Sequence, residues 1–589
     1  MHTTIQPAPS TFLGVLKRYL SPHRSRSILL TCLLLTGIGL QLLSPQLIRH
    51  FIDSATVMVP LATLRNLALI YLAVQLLRSG LNIAARYISV DLGWSATNAL
   101  RRDLTEHILH LDATFHNTHT AGSLIERVDG DVNALANFFS EMIINIFGNM
   151  LLLFGVLVVL ALEDWRLGLA FFVFALIILL ILGRMRDIAT PHLQAERQAS
   201  SELFGFIEER LAGTEDVRAN GASGWVLSRF TAAMKKVAAA DFKAYMKIAQ
   251  IRTTTFALFA MGGISALVFG ATFYRSGIFT LGTVYLLYAY VDMLLRPVER
   301  IALEIQDFQK AAAGMLRVME LQNIKSSIHY GDETLPVGPL IVAFQNVSFN
   351  YNRPSETENT NNALTDVTFS LQAGRSLGIV GRTGSGKTSL TRLLLRLYDP
   401  TSGTIQLGNK EIGSIKLISL RERVAVVTQE VQLFNATIRE NLTLFDPSIP
   451  DEKIINVIMD LGLKDWFDLQ PNGLDTILAS GGDLSAGQAQ LLAFTRVFLR
   501  DPGLVILDEA SSRLDPATES LIEKAVTKLL KDRTAIIIAH RLNTLDRVDD
   551  ILVMGDGRVL EFGPREQLKA ESDSMFSSLL KQGFEEVTA

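Results

Sequence analysis

The chain has 589 residues, of which 49% are hydrophobic and only 19% are charged, and its formal net charge is −4. A prior of roughly 150 residues per domain allows about four domains, and the mean hydropathy of +0.28 indicates a hydrophobic half joined to a soluble half. This composition and the single cysteine, Cys32, exclude a disordered chain, a collagen, a disulfide scaffold and an iron–sulfur protein, and the acidic balance gives no sign of nucleic-acid binding.

The N-terminal segment, residues 1–26, contains no acidic residue and carries Lys17, Arg18, Arg24 and Arg26. A transit peptide has the same bias, but the apolar run that follows is too long for the core of a signal peptide. We therefore interpret this segment as the cytoplasmic flank of a retained membrane helix, with an amphipathic interfacial helix over residues 11–20.

Six apolar runs are candidates for crossing a bilayer, which takes roughly 20 residues as a helix. Two of them are weaker, because Arg78 and Arg86 interrupt one and Asp292 borders the other. An isolated charge at the centre of a bilayer costs about 2.5–3.5 kcal/mol, so these charges are expected near an interface or a watery cavity. The predicted spans are 27–48, 66–87, 142–162, 167–183, 253–274 and 276–291.

The distribution of Lys and Arg sets the topology. The stretch 184–252 contains 11 of them, whereas the short links 49–65, 163–166 and 275–283 together contain four. The positive-inside rule then places both termini and two long loops, 88–141 and 184–252, in the cytoplasm. The loops are polar and helical in pattern, and we expect them to extend the spans into the cytosol. An all-α membrane domain of six helices is predicted over residues 27–321.

The composition changes after Leu321. Residues 322–339 are polar, contain Gly and Pro, and predict a linker. From Leu340 onward, short apolar runs alternate with helical patterns, which is typical of a parallel sheet buried on both faces. An α/β domain is predicted over residues 340–589, with strands at 377–380, 424–427, 504–507 and 535–539.

A glycine-rich loop directly follows the first of these strands. The segment fits the pattern G-x-x-x-x-G-K-[ST], in which glycines let backbone N–H groups converge on phosphate oxygens at a helix N-terminus. Lys387 is expected to reach the β- and γ-phosphates, and the Thr388 hydroxyl to ligate Mg²⁺. The candidate nucleotide-binding residues are Gly381, Arg382, Thr383, Gly384, Ser385, Gly386, Lys387, Thr388 and Ser389.

A later apolar strand ends in two carboxylates, Asp508 and Glu509. Asp508 is placed to hold the Mg²⁺ shell, and Glu509 to orient or deprotonate an attacking water. Many strands end in acidic residues, so this signal is weak alone and gains its strength from the phosphate loop upstream.

Between these motifs, LSAGQ opens a helical run and resembles the signature of ATP-binding-cassette (ABC) transporters, normally LSGGQ. Other family motifs match in order: Tyr351 resembles the adenine-stacking aromatic, and Gln429 the glutamine that links the γ-phosphate and Mg²⁺ to the membrane domain. Asp515 resembles the dimer-contact aspartate, and His540 the switch histidine on the γ-phosphate. The resemblance extends over the whole chain, including 100–132, 163–169, 208–222 and 295–321.

This resemblance implies an exporter-type half-transporter of the cell membrane that binds ATP and Mg²⁺ and works as a dimer. It implies ATP-driven export of a small molecule, lipid or peptide by alternating access, with the nucleotide-binding domain in the cytoplasm. In the family, each ATP lies between one chain's phosphate loop and the partner's signature. The residues implied in the second contact are Ser485, Ala486, Gly487 and Gln488.

Two departures from the family pattern bear on the partner. Ala486 replaces the second signature glycine, which adds a methyl group where backbone approaches phosphate, and residues 478–483 lack the glutamate expected upstream. Lys387, Glu509 and the other ATPase residues are nevertheless intact. This asymmetry favours one half of a heterodimer, with a homodimer that tolerates Ala486 as the alternative.

Two other functional classes compete with an exporter. An ATP-gated channel or regulatory subunit would use the same fold without pumping, and a soluble ABC ATPase would lack the six spans. The cargo is not encoded in the motifs. Four histidines in the first cytoplasmic loop form a weak candidate metal cluster, and polar residues in the spans are as consistent with helix packing as with substrate contact.

Overall fold

The computed structural model describes residues 12–138, 146–328, 331–351, 362–428, 431–478, 484–508, 516–539 and 545–582. Within them the chain divides into two compact units. The first comprises the described residues up to His110 together with Thr120–Lys325, and the second comprises Leu111–His119 together with the described residues from Ser326 onward.

The first unit is helical. Its long helices are far longer than the predicted spans, because the polar flanking segments continue the same helices. The helices are α1 (Phe12–Leu20), α2 (Arg24–Thr56), α3 (Leu61–His110), α5 (Ala121–Ile125), α6 (Val132–Asn137), α7 (Asn149–Glu163), α8 (Trp165–Ala212), α9 (Thr214–Ala219), α10 (Ser223–Arg275) and α11 (Leu281–Asn323), where α4 belongs to the second unit.

Five helical segments of the described chain are long and apolar enough to span a membrane, and Leu281–Leu295 adds a shorter apolar one. The last predicted span starts too early, because 276–280 form a turn between α10 and α11. Gly277 adopts a φ of +75° there, and the Thr280 side chain caps α11 by accepting from the Thr283 N–H. The start of the third predicted span, 142–145, lies outside the described residues.

The core of this unit lies among four helices. α10 packs along α8, and α11 packs against α10, α7 and α2. Buried side chains from α7, α8, α10 and α11, including Val156, Ile178, Ala266 and Tyr290, form one apolar cluster. The cytoplasmic loops that we predicted as helical extensions are the distal parts of α3, α8 and α10.

The second unit is built on two main sheets. A six-stranded sheet has the order β12-β11-β3-β10-β9-β6, and a four-stranded sheet has the order β2-β1-β4-β5. In the larger sheet, β11, β3, β10, β9 and β6 are parallel and only β12 is antiparallel. The strands are β1 (Val342–Phe349), β2 (Leu364–Leu371), β3 (Ser376–Val380), β4 (Ser402–Leu407), β5 (Lys410–Glu411), β6 (Val424–Val427), β7 (Ala436–Thr437), β8 (Ile477–Leu478), β9 (Leu504–Asp508), β10 (Thr534–Ile538), β11 (Asp550–Gly555) and β12 (Arg558–Pro564).

Helices cover the sheets of the second unit. The four predicted strands are confirmed as β3, β6, β9 and β10. β3, β10 and β9 lie inside the parallel sheet, where continuous apolar runs are buried on both faces, and β6 forms one edge of that sheet. The helices are α4 (Ala113–Thr118), α12 (Lys387–Leu394), α13 (Leu417–Arg423), α14 (Ile438–Thr443), α15 (Asp451–Asp460), α16 (Lys464–Asp468), α17 (Ala486–Arg500), α18 (Pro516–Leu530), α19 (Arg565–Ala570) and α20 (Met575–Gln582).

Candidate functional site

The glycine-rich loop joins the carboxyl end of β3 to α12, as its motif predicts. Gly386, the residue before the helix, has a φ of +103°, and a Cβ there would lie 2.7 Å from a Leu364 methyl carbon and 2.9 Å from the Ala363 carbonyl oxygen. At Gly381, which has a φ of +153°, a Cβ would lie 2.3 Å from the Met554 carbonyl oxygen. Only glycine fits these two backbone positions.

Lys387 begins α12 and folds back over the loop. Its Nζ donates to the carbonyl oxygens of Gly381 at 2.6 Å and Arg382 at 2.9 Å. Burial lowers the pKa of the Lys387 ammonium, and the charge of Asp508 opposes that shift. The ammonium is therefore held at the loop by backbone oxygens, where an anionic ligand would find it already positioned.

Two further features of the loop suit a phosphate ligand. The Ser385 Oγ is buried and has no hydrogen-bond partner in the part of the chain that the structure describes. No side chain of the described residues caps the N-terminus of α12, where helix N–H groups and the helix dipole favour an anion. A nucleoside triphosphate supplies acceptor oxygens for the Ser385 hydroxyl and for the N–H groups at the start of α12.

Asp508 lies at the carboxyl end of β9, in register with Ile538 of the parallel neighbour β10. β10 is also paired with β3, and the Ala539 N–H donates to the Ile379 carbonyl oxygen at 3.2 Å. The carboxyl ends of β3, β9 and β10 therefore lie at one edge of the sheet, which brings Asp508 and the glycine-rich loop to the same side. A carboxylate beside a phosphate loop is suited to hold Mg²⁺.

Tyr351 lies beside α12. Its hydroxyl is 3.0 Å from the Ser389 Oγ and accepts from Arg392 at 3.1 Å. Its ring meets Phe349 and Tyr398 edge to face, at centroid distances of 4.7 and 5.2 Å. The ring is thus fixed in an aromatic cluster next to the phosphate-loop helix.

The signature residues open α17. The Ser485 Oγ accepts from the Gln488 N–H at 3.2 Å, and the Gln488 side chain accepts from the Ser485 N–H at 3.0 Å. This reciprocal capping box fixes the first turn. Gly487 is buried, whereas Ala486 is exposed. The Ala486 methyl group is therefore directed at whatever approaches this helix end rather than at the core.

The site residues Gln429, Glu509, Asp515 and His540 lie outside the described residues. The predicted positions of Tyr351, the loop 381–389 and Asp508 come together in the second unit. Within the described residues, no group of His, Cys, Asp and Glu has the arrangement of a metal site.

Arg496 is a residue that motif matching missed. It lies on α17 and donates to the carbonyl oxygens of Asn441 at 2.8 Å and Gln432 at 3.0 Å. Burial lowers the pKa of its guanidinium. Arg496 therefore ties the signature helix to the segment that follows Gln429. The sequence did contain a signal for this role, because Arg496 lies within a largely apolar run of α17.

Helix α4 is a second feature that the sequence did not reveal. Asp112 caps it by accepting from the Phe115 N–H at 3.1 Å, and the same carboxylate accepts from the N–H and the hydroxyl of Ser327, each at 2.7 Å. The Asn117 amide donates to the Tyr398 hydroxyl. A segment between α3 and α5 is therefore bound into the nucleotide-binding unit, next to the aromatic cluster around Tyr351.

Comparisons with known proteins agree with this organisation. Residues 27–298 match the family model described as ABC transporter transmembrane region, and residues 364–512 match the family model described as ABC transporter. An ATP-dependent lipid A-core flippase of Idiomarina loihiensis is 30% identical over 85% of this chain and 86% of that protein. An uncharacterised ABC transporter ATP-binding protein of Bacillus subtilis, YknV, is 29% identical over 96% and 93%.

The fold also matches a solved structure. A bacterial Atm1-family ABC exporter with ATP bound superposes with a TM-score of 0.79, at 23% identity, over 95% of this chain and 98% of that chain. A helical membrane region followed by an α/β nucleotide-binding region is therefore the architecture of both chains.

Proposed function

The chain belongs to the ABC transporter family, and from that premise we propose how its residues divide the work of ATP-driven export. It is a membrane-embedded half-transporter, with an ATPase region fused to a transmembrane region. We assign residues 27–321 to the membrane domain, 322–339 to a linker and 340–589 to the nucleotide-binding domain. The observation that carries the proposal is the prepositioned Lys387 in a glycine cradle, at the edge where β9 ends in Asp508.

We assign ATP binding to the loop 381–389, with Tyr351 against the adenine. The backbone N–H groups and Lys387 bind the phosphates, and the unsatisfied Ser385 Oγ supplies one further donor. The contacts of the Tyr351 hydroxyl with Ser389 and Arg392 fix its ring beside α12. These groups are organised without ligand, so binding costs little reorganisation.

Hydrolysis is assigned to residues around the γ-phosphate. Glu509 accepts a proton from the attacking water, His540 contacts the γ-phosphate, and Gln429 links that phosphate to the membrane domain. Thr388, Asp508 and Gln429 are the residues that would hold Mg²⁺, which neutralises charge on the β- and γ-phosphate oxygens. Since Asp508 ends a buried strand, its carboxylate is held in place for this role.

The transporter works as a dimer, and we propose a heterodimer. Ser485, Ala486, Gly487 and Gln488 face the ATP held by the partner, and Asp515 contributes to the dimer contact. Ala486 is exposed at the start of a rigid, capped helix, so its methyl group cannot turn away from an approaching phosphate. This chain then supplies the hydrolysing residues to one strong site, while its own signature closes a weaker one.

ATP drives transport by favouring the closed dimer of nucleotide domains. ATP shifts this equilibrium only by binding the closed state more tightly than the open state. Helix α4 is fixed to the nucleotide-binding unit through Asp112 and Ser327. We assign to it the transfer of that motion towards α3 and α5, between which it is inserted.

The substrate class that we propose is an amphipathic lipid. Its support is the similarity to flippases of a lipid A core at 30% identity over more than four fifths of both chains. A related Bacillus subtilis protein, 28% identical, is described as a putative multidrug exporter, and drugs of that kind are commonly amphipathic too.

The experiment reconstitutes the full chain, with any copurifying subunit, in liposomes that contain fluorescent phospholipid. ATP and Mg²⁺ added outside reach only transporters whose nucleotide-binding domains face outward. Export in these transporters moves label to the inner leaflet, so the fraction of label that dithionite quenches should decrease. Lys387→Ala is the matched control, since it removes the phosphate-binding ammonium alone. ATP hydrolysis without any change in lipid distribution would reject the lipid assignment, while absence of hydrolysis would reject the ATPase assignment.

A further inference from the structure

A cavity lies between the beginning of α8 and the C-terminal half of α10. Its volume is about 390 Å³, within the range of roughly 300–1,000 Å³ of ligand pockets. Much of its wall is formed by phenylalanine side chains, and Arg166 is the one cationic residue among the described residues that line it. The residues that define it are Arg166, Phe171, Phe174, Ser265, Phe269 and Phe273.

The aromatic wall is fixed rather than collapsible. The Phe174 ring meets Phe171 and Phe259 edge to face, at centroid distances of 6.2 and 6.1 Å. A Cβ at Gly262 would lie only 2.4 Å from the Phe174 ring, so the glycine lets the ring press against α10. The cavity therefore has a rigid floor.

The chain topology places the cavity at the external side of the membrane. α7 ends at Glu163 and α8 begins at Trp165, in one of the short links that the positive-inside rule assigns to the outside. Residues 166–174 cover about 12 Å along the helix at 1.5 Å per residue. The cavity thus runs from the outer interface into the outer leaflet.

An empty cavity of this kind is unfavourable, because its lining would lose dispersion contacts. Water is a poor occupant, since Arg166 and Ser265 are the only polar side chains among the residues that line it and an ordered water needs two to four polar partners. A hydrocarbon chain fits the walls, and the bilayer supplies hydrocarbon chains at this depth.

The charge of Arg166 determines which class of lipid suits the cavity. Arg166 is exposed, its guanidinium lies 5.9 Å from the Trp165 ring centroid, and no carboxylate in the described part of the chain forms an ion pair with it. Of the two nearby acids, Asp164 caps α8 at 2.8 Å and Glu163 pairs with Arg49 at 2.5 Å. A phosphate group can satisfy Arg166 in a way that a neighbouring apolar helix cannot.

We propose that this cavity is a binding site for an anionic phospholipid of the surrounding bilayer, with one acyl chain along the phenylalanine wall and the phosphate at Arg166. An acyl chain gains no hydrophobic energy by moving from bilayer into an apolar cleft. Selectivity must therefore come from the headgroup, and the site distinguishes anionic from zwitterionic lipids.

The test uses the purified full-length transporter in nanodiscs with two photoactivatable lipids, phosphatidylglycerol and phosphatidylcholine, that carry the same diazirine-labelled acyl chain. Peptide mass spectrometry maps the labelled positions. We expect labelling within 166–174 and 262–273 to be at least threefold stronger with the anionic lipid. Arg166→Gln should remove this preference, and Ser265→Phe should reduce labelling by both lipids because it fills the cavity.

The matched control is Arg275→Gln, which removes an exposed external arginine at the end of α10 that does not line the cavity. It should leave labelling unchanged, and all variants should retain the thermal unfolding midpoint of the unmodified protein. Equal labelling by the two lipids, an unchanged preference in Arg166→Gln, or no labelled peptide from the cavity in the assembled dimer would each overturn the proposal. The last result would mean that the partner subunit fills the space.

Discussion

We have assigned binding and hydrolysis of ATP to different side chains of the proposed nucleotide site. Glu509→Gln keeps the size of the side chain but removes its ability to accept a proton. We therefore expect nucleotide binding to persist while turnover falls by at least about 100-fold, the scale for loss of one transition-state group. Photolabelling with azido-ATP and steady-state phosphate release measure the two quantities.

Lys387→Ala should give the opposite pattern, because Lys387 is positioned by two carbonyl oxygens to contact phosphate. We expect weak photolabelling in this variant. Unchanged phosphate release in purified Glu509→Gln would exclude Glu509 as the base.

The signature alanine is a second residue whose effect can be isolated. Ala486 is exposed at the first position of α17, so Ala486→Gly should leave the fold intact. It removes a methyl group from the surface that we propose to meet the partner's nucleotide, and we expect release of trapped ATP to slow several-fold. Ala489→Gly is the matched control, since it removes a methyl group one turn further along the same helix. Identical release rates for both variants would contradict the role of Ala486.

Helix α4 shows how one capped turn can attach a segment to another part of the chain. Asp112→Ala removes the N-terminal cap of α4, which is the hydrogen bond from the Phe115 N–H, and both hydrogen bonds from Ser327. Loss of a cap alone costs about 0.5–2 kcal/mol, so residues 111–119 should exchange amide hydrogens faster while β3 and β9 stay protected. Hydrogen exchange with mass spectrometry measures this directly.

Thr120→Ala provides the comparison for that experiment, because Thr120 caps α5 by accepting from the Ser123 N–H but contacts no residue of the second unit through that cap. Its exchange effect should be confined to 120–125. If Asp112→Ala and Thr120→Ala changed the same peptides, the attachment through Ser327 would not hold.

The parallel sheet and the phosphate loop could be predicted from the sequence, because each has a local cause. Continuous apolar runs produce buried strands, and the conformations of Gly381 and Gly386 need glycine. The attachment of α4 could not be predicted, since the partner of Asp112 is Ser327, more than 200 residues away. The start of the last span, predicted at 276, was also wrong, because the apolar run continues across Gly277 although the helix begins only at Leu281.

In the described part of the membrane unit, an ionic contact closes the outer ends of α2 and α7. The Arg49 Nη1 lies 2.5 Å from the Glu163 Oε1, with both side chains about three quarters buried. Asp53, one turn after Arg49, accepts from the Thr280 hydroxyl and the Gly282 N–H at 2.8 Å each. α2 is thereby joined to both α7 and α11 at the external side, which must separate for an outward-facing state.

Glu163→Gln should weaken this closure, because it removes the closer of the two carboxylates that pair with Arg49 and leaves only Asp53 at 3.9 Å. Loss of about 1.4 kcal/mol would increase the outward-open fraction about tenfold. Spin labels at residues 58 and 278, both exposed in external turns, report the opening as a longer distance in the absence of ATP. Arg65→Gln, which removes another external charge, should leave the distance unchanged, and an equal shift in both variants would show a general charge effect.

The dimer composition determines how all these residues combine. In a homodimer both sites would pair Lys387 and Glu509 with an LSAGQ signature, so they would bind and hydrolyse ATP equally. In the heterodimer, the complete catalytic set of this chain meets a regular signature of its partner, and only that site turns over rapidly. We therefore expect about one vanadate-trapped nucleotide per dimer, attached to this chain.

Native mass spectrometry of the tagged chain from its own membranes distinguishes these cases. A heterodimer contains one 64.9 kDa chain and a different half-transporter, in which we expect LSGGQ and no glutamate after the acidic-strand aspartate. Glu509→Gln in this chain alone should then abolish nearly all turnover, because the partner cannot replace it. A complex of two identical chains with two trapped nucleotides would instead establish a homodimer in which the exposed Ala486 methyl group is compatible with a competent site.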